Sequence, residues 1–257
     1  MKRTLLSAPP EWVPESLRHL CSGAKIYDSS CSPEARVIYI DRDCGYFLKA
    51  SARGSLAREA AMASYFHKKG LTARVCEYVC ADKDFLLTER VPGEDATAQK
   101  YLSDPYRLAK VAGQMLRELH ETDFTDCPVM KRMESYLELA RENYEQGRFD
   151  LSYGDFPSAK AAYRALEEAA PYFKNDTLIH GDFCLPNFIM RDWRLSGFID
   201  LGNGGVGDRH VDLFWGAWTL NFNLGTDEYG DIFFDAYGRD RVDPDLIRAV
   251  SAAEVFG

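Results

Sequence analysis

The stretch from residue 178 to 213, LIHGDFCLPNFIMRDWRLSGFIDLGNGGVGDRHVDL, holds the densest polar cluster in the chain. Ahead of it, Thr177 to Ile179 reads as a short apolar strand that ends at His180. Gly181 permits a tight turn, and Asp182 follows at the strand's exit. Asn187 comes five positions after Asp182. A second apolar strand, Ser196-Gly197-Phe198-Ile199, delivers Asp200, and Leu201-Gly202 turns the chain away. On this reading two carboxylates and an amide stand at the tips of adjacent strands.

Phosphoryl transfer needs such a set. Nucleotide phosphates carry several negative charges and are handled with Mg²⁺, a hard cation that takes oxygen ligands. A separate carboxylate orients the attacking hydroxyl and accepts its proton. Protein kinases place these groups as H-R-D-x-x-x-x-N followed by D-F-G. Here His180-Gly181-Asp182 to Asn187 keeps that spacing, and Asp200-Leu201-Gly202 stands in the D-F-G role. Each piece alone is weak, since HGD is a common turn and a lone histidine is more often a structural hydrogen bonder. The joint order, spacing and strand context carry the reading.

Outward from this cluster the chain changes character near residue 91. Ala24 to Ser29, Arg36 to Asp41 and Tyr46 to Ala50 are short β-like runs separated by turn-forming segments. Ser55 opens a helical pattern with Leu56, Ala60, Ala63 and Phe66 on one stripe, closed by Gly70. Phe85 to Val91 is one more apolar run before Pro92-Gly93. Beyond it, Asp104-Pro105 starts a helix with a stripe through Leu108, Ala112, Met115 and Leu119. Further helices are expected over about 131–147, 158–170, 208–222, 227–237 and 244–254. The expected fold is α+β, with a small β-rich nucleotide-binding lobe over 1–91 and a larger helical, catalytic and substrate-binding lobe over 92–257.

In the first lobe Lys49 ends the run Tyr46-Phe47-Leu48, and Glu59 lies on the following helix. An ion pair between them would aim the ammonium at the α- and β-phosphates. The turn Ser29-Ser30-Cys31-Ser32 could cover phosphates through hydroxyls and N–H groups, although it lacks glycines. No Walker A pattern is present, which excludes a P-loop kinase.

Composition agrees with a folded enzyme. The chain has 257 residues, 46% hydrophobic and 28% charged, which sets aside disordered and fibrous classes. No apolar run approaches the ~18–20 residues of a membrane helix. The N-terminal MKRTLLSAPPEW is basic, but its apolar stretch is too short for a signal peptide. The net charge of −9 repels phosphate backbones, so nucleic acid is not an expected partner. Seven scattered cysteines, without paired C-x-x-C sites, argue against a disulfide framework or structural zinc and for a reducing cytoplasm. Cys76 and Cys80 read as small buried hydrophobes on a strand.

The motifs HGDFCLPN and SGFIDLGNGGVGDRHVDL, with LRELHETDFTDCP and SPEARVIYIDRDCGYFLKAS, resemble the aminoglycoside O-phosphotransferases, especially the kanamycin-kinase 3′ type. The resemblance covers most of the chain. It implies a protein-kinase-like two-lobed fold and transfer of the γ-phosphoryl of ATP to an aminoglycoside hydroxyl, with resistance as the outcome. It makes Asp182 the catalytic base and Asn187 and Asp200 the Mg²⁺ ligands. It places Lys49 on the phosphates, Glu59 behind it, Ser32 in the nucleotide loop and Phe47 against adenine. Arg90 and Val91 become the hinge whose backbone meets the adenine edge, and the small Thr88 nearby leaves room for GTP.

The departures concern the acceptor. Asn203, Trp218 and Phe222 stand where the 3′ enzymes carry two arginines and an acid. Ala253 replaces an aspartate near the C-terminus, while Glu254 is retained as a substrate contact. The expected partners are a nucleotide and a small cationic hydroxylated acceptor, bound by a monomer without membrane contact. The alternatives are a kinase of another small hydroxylated metabolite or antibiotic, and an inactive nucleotide-binding relative.

Overall fold

The computed structural model describes residues 3–257; the first two residues of the basic N-terminal stretch lie outside them. In chain order the first elements are β1 (Thr4–Leu6), α1 (Glu15–Cys21), β2 (Lys25–Asp28), β3 (Ala35–Asp41), β4 (Tyr46–Ala52), α2 (Ala57–Lys68), β5 (Val75–Cys80), β6 (Lys83–Glu89) and β7 (Glu94–Asp95). Then come α3 (Gln99–Leu102), α4 (Pro105–His120), α5 (Arg132–Glu145), α6 (Ala159–Ala169), β8 (Thr177–Ile179), β9 (Phe188–Arg191) and β10 (Arg194–Phe198). The last are β11 (Gly205–Gly207), α7 (Arg209–Leu224), α8 (Gly230–Tyr237) and α9 (Pro244–Glu254). The fold is α+β and protein-kinase-like. Among the described residues no helix is long and apolar enough to cross a membrane.

The chain divides into two compact units, Met1–Asp95 with Phe188–Gly202, and Ala96–Asn187 with Asn203–Gly257. In the first unit an antiparallel sheet runs in the order β1-β2-β3-β4-β6-β5. Alternation decides its faces. Ile38, Ile40, Leu48 and Leu87 turn to one face and pack with Leu17 and Cys21 of α1. The opposite face carries Leu86, which packs on Leu56 and Ala60 beside α2. Strands β10, β9 and β7 form a three-stranded sheet in the same unit. Leu71 fixes it, its carbonyl accepting the Phe198 N–H at 2.8 Å.

In the second unit Asp104 caps α4 by accepting the Arg107 N–H at 3.2 Å, and Pro105 occupies the first turn. One core joins Phe156, Leu166, Ala252, Val255 and Phe256. A second joins Met133, Ile179, Val211, Phe214 and Val250, so that α5, β8, α7 and α9 share one apolar layer.

Three expectations need correction. The strands that precede His180 and Asp200 are not neighbours: β8 pairs with β11, whereas β10 pairs with β9. Second, α1 and β1 add to the first unit. α1 has 7 residues, too few for its period to stand out behind a proline-rich lead. Third, Cys80 is exposed and Cys76 only half-buried, because β5 is the edge of its sheet. All seven cysteines are free.

Candidate active site

In the first unit Lys49 rises from β4, a strand paired on both sides by β3 and β6. Its Nζ donates to Glu59 Oε2 at 2.8 Å and to Asp200 Oδ1 at 2.9 Å. Burial alone would lower the lysine, but Asp200 and Glu59 outweigh it and hold the ammonium above its ordinary value. Glu59 is raised by burial, and the ammonium beside it opposes that rise. Lys49 thus meets Glu59, the partner expected for it, and also Asp200, which was not. Glu59 chooses Lys49 over its sequence neighbour Arg58, whose Nε donates to the Gly202 carbonyl.

Asp200 follows β10 with φ +59°, a left-handed conformation that costs a non-glycine residue about 1–3 kcal/mol. Its side chain is 53% exposed. One of its oxygens meets Lys49 at 2.9 Å. Phe47 sits two residues before Lys49 and shares its face of the sheet. The Arg90 N–H, expected to face the adenine edge, instead donates to the Gly45 carbonyl at 2.8 Å. Among the described residues the Val91 N–H meets no backbone acceptor. In the β2–β3 turn Ser30 does the bracing, accepting the Val37 N–H at 3.0 Å. Ser32 is exposed at the tip.

In the second unit the turn after β8 is built around a buried carboxylate that sequence reasoning left without a role. Asp212, on α7 and 0% exposed, accepts the His180 N–H and the Gly181 N–H, both at 2.7 Å. His120 Nε2 adds a third bond at 3.1 Å, and its Nδ1 lies 2.9 Å from the Tyr237 hydroxyl. Burial lowers His120 despite the carboxylate, so the ring is neutral, donates from Nε2 and accepts from Tyr237. Gly181 has φ +80°, and a Cβ there would collide with the Asn203 carbonyl. Arg132, buried on α5, donates to that same carbonyl at 2.9 Å and to Asn203 Oδ1 at 3.3 Å. The signal for Asp212 was present as VDL at the end of the deciding stretch, but nothing local says where a helical aspartate points.

The turn presents Asp182 and Asn187 together. Asn187 Nδ2 donates to the Asp182 carbonyl at 3.0 Å and to Asp182 Oδ2 at 2.8 Å. Both bonds from the amide nitrogen thus go to Asp182. Thr219 of α7 ties this loop down, its Oγ1 accepting the Leu185 N–H at 3.2 Å. Cys184 is held well above the ordinary thiol range by burial, with Asp182 adding to the effect, so it is no nucleophile.

Glu254 is 8% exposed and accepts from the Tyr136 hydroxyl at 2.7 Å and Trp215 Nε1 at 3.1 Å. Burial pushes its carboxyl up to about 7 against those two donors, and Asp182 adds to the rise. Aromatic rings continue from it. Tyr153 lies 5.8 Å from both Trp215 and Trp218, and Trp218 stacks on Phe222 at 5.0 Å and 11°. Phe222 is 71% exposed. Several acids that could have held ammonium groups are spent locally: Glu145 on Arg141 at 2.8 Å, Asp231 on Arg239 at 2.8 Å, and Asp150 on the Ser152 N–H at 2.9 Å.

Residues 34–249 match the model of the phosphotransferase enzyme family. The chain is 47% identical to the probable aminoglycoside 3′-phosphotransferase of Lactococcus lactis subsp. lactis (strain IL1403), over 96% of each chain. It is 29% identical to the aminoglycoside 3′-phosphotransferase of Streptomyces fradiae over 91% of each. Among solved structures, an aminoglycoside-3′-phosphotransferase of type VIII aligns with a TM-score of 0.78 at 24% identity, covering 95% of this chain and 98% of that one.

Proposed function

The chain belongs to the phosphotransferase enzyme family, and from that premise we propose that it moves the γ-phosphoryl of ATP to the 3′ hydroxyl of an aminoglycoside of the kanamycin or neomycin kind, in the cytoplasm, and so confers resistance. The observation that carries the reading is the pair Asp182–Asn187. One carboxylate oxygen is pinned by the amide at 2.8 Å, and in this reading the other receives the hydroxyl proton.

In this reading Asp182 orients the acceptor alcohol and takes its proton at Oδ1 as the oxygen attacks phosphorus. Lys49, held by Glu59, neutralises the α- and β-phosphates. Phe47 stacks the base, Val91 meets its edge, and the turn carrying Ser32 covers the phosphates. Asn187 and Asp200 each keep an oxygen for Mg²⁺, a donor set that suits a hard cation. When bound, Mg²⁺ supplies charge neutralisation on the phosphates. Catalysis by this chain is then positioning plus electrostatics. Above about pH 7, where its buried carboxyl releases its proton, Glu254 offers an anion to one acceptor ammonium.

The stack of half-buried Trp218 on exposed Phe222 supports a second reading, a less cationic hydroxylated antibiotic or metabolite as acceptor. ADP release measured across a panel of aminoglycosides and neutral alcohols separates the two. Asp182→Ala should abolish acceptor-stimulated release while leaving nucleotide affinity within about twofold. Stimulation only by neutral alcohols would overturn the aminoglycoside reading. Equal loss of nucleotide affinity would overturn the role given to Asp182.

A further inference from the structure

Tyr27, Tyr39 and Phe47 occupy directly opposed positions on β2, β3 and β4, so their rings form one row on the face that bears Lys49. The ring centroids are 6.0 Å apart for Tyr27 and Tyr39 and 5.1 Å for Tyr39 and Phe47. Arg3, immediately before β1, lies on this row. Its guanidinium carbon is 4.0 Å from the Tyr39 ring centre and 5.4 Å from that of Phe47. Strand β1 holds it there by pairing with β2 in the register Thr4↔Asp28.

The row is rigid where Arg3 meets it. Tyr39 is 6% exposed, and its hydroxyl donates to Asp41 at 3.2 Å. A Cβ on Gly45, whose φ is +84°, would come within 2.7 Å of that hydroxyl. The Gly45 carbonyl in turn accepts the Arg90 N–H, which ties the tyrosine to the hinge. Among the described residues no carboxylate pairs with Arg3, so its charge is answered only by the two ring faces. A planar guanidinium stacks on π faces and keeps its N–H donors in plane for an acceptor at the edge.

A base stacked on Phe47 extends this row and comes within reach of the same guanidinium. We propose that Arg3 is a base-recognition residue, engaging the purine by cation–π contact and by donating to an acceptor on its edge. The inference rests on the placement of the nucleotide on the Phe47–Lys49 face. It assigns to the N-terminal segment a part in nucleotide affinity separate from the phosphate-binding role of Lys49.

Titration calorimetry with ATP, adenosine and inorganic tripolyphosphate tests it on the whole protein. Arg3→Ala should weaken ATP and adenosine by the same factor, about 3- to 10-fold, and leave tripolyphosphate unchanged. Arg3→Lys should recover only part of the loss, because an ammonium cannot stack flat. Equal weakening of tripolyphosphate would overturn the proposal, since the arginine would then act on phosphate charge. Unchanged or tighter adenosine binding would overturn it too. Phe47→Ala distinguishes the two levels of failure. A loss there beside none in Arg3→Ala overturns only the arginine's part, whereas no loss in either overturns the nucleotide placement as well.

Discussion

Replacing Asp212 by Asn changes one atom of the group that holds the His180–Gly181–Asp182 turn. The carboxylate serves three donors: Oδ2 takes the His180 N–H and His120 Nε2–H, and Oδ1 takes the Gly181 N–H. An asparagine can keep its oxygen on one side only, so its NH₂ must face a buried N–H on the other. A buried donor without an acceptor costs about 1–3 kcal/mol, and the remaining bonds lose their charge-assisted character. The sum is about 3–5 kcal/mol, with Asp212→Ala at or beyond the upper end. For a chain of this size each kcal/mol moves the melting temperature by roughly 2–4 °C, so a fall of about 10 °C is expected. Because Asp182 is the next residue on the turn, its displacement by ~1 Å should reduce kcat by about a hundredfold. Thermal melting followed by circular dichroism gives the first number and ADP release at saturating substrates the second. An Asp212→Asn variant that melts and turns over like the parent would refute the account of how the turn is held. So would identical losses below ~1 kcal/mol for the Asn and Ala variants.

Gly181→Ala should lose more than ~2 kcal/mol of stability and most activity, since the left-handed φ of +80° and the Asn203 carbonyl both oppose a methyl group. A variant of normal stability in urea unfolding would contradict this. Glu254 titrates at about 7 in the folded chain against an ordinary 4.5. Between those values the fold keeps a proton that the unfolded chain has released, so the group favours folding at low pH and that contribution is lost as pH rises through 7. At 1.36 kcal/mol per pH unit the swing is about 3 kcal/mol, and Glu254→Gln should gain that much relative to the parent between pH 4.5 and 8. Parallel stability profiles for the two proteins would contradict the buried-carboxyl account.

The residues of the candidate site stood out in the sequence because their spacing is local. Asp182 to Asn187, and Asp200 ahead of Leu201-Gly202, are fixed by chain geometry over a few residues, and strand alternation places Phe47 and Lys49 on one face. Glu59 is the one acid on the helix after the lysine strand, and the 2.8 Å pair agrees with that choice. Asp212, Arg132 and the bonds around Glu254 were not legible. Each acts across 31 to 118 residues of sequence, on partners that share no period with it. The same holds for β8 and β10, whose apolar runs look alike although they enter different sheets. Residue types and short-range spacing therefore determined the class of chemistry and the α+β order of elements. Tertiary packing alone decided which buried carboxylate holds the His180–Gly181–Asp182 turn and which ring row receives Arg3, because those contacts depend on where distant helices and strands come to rest.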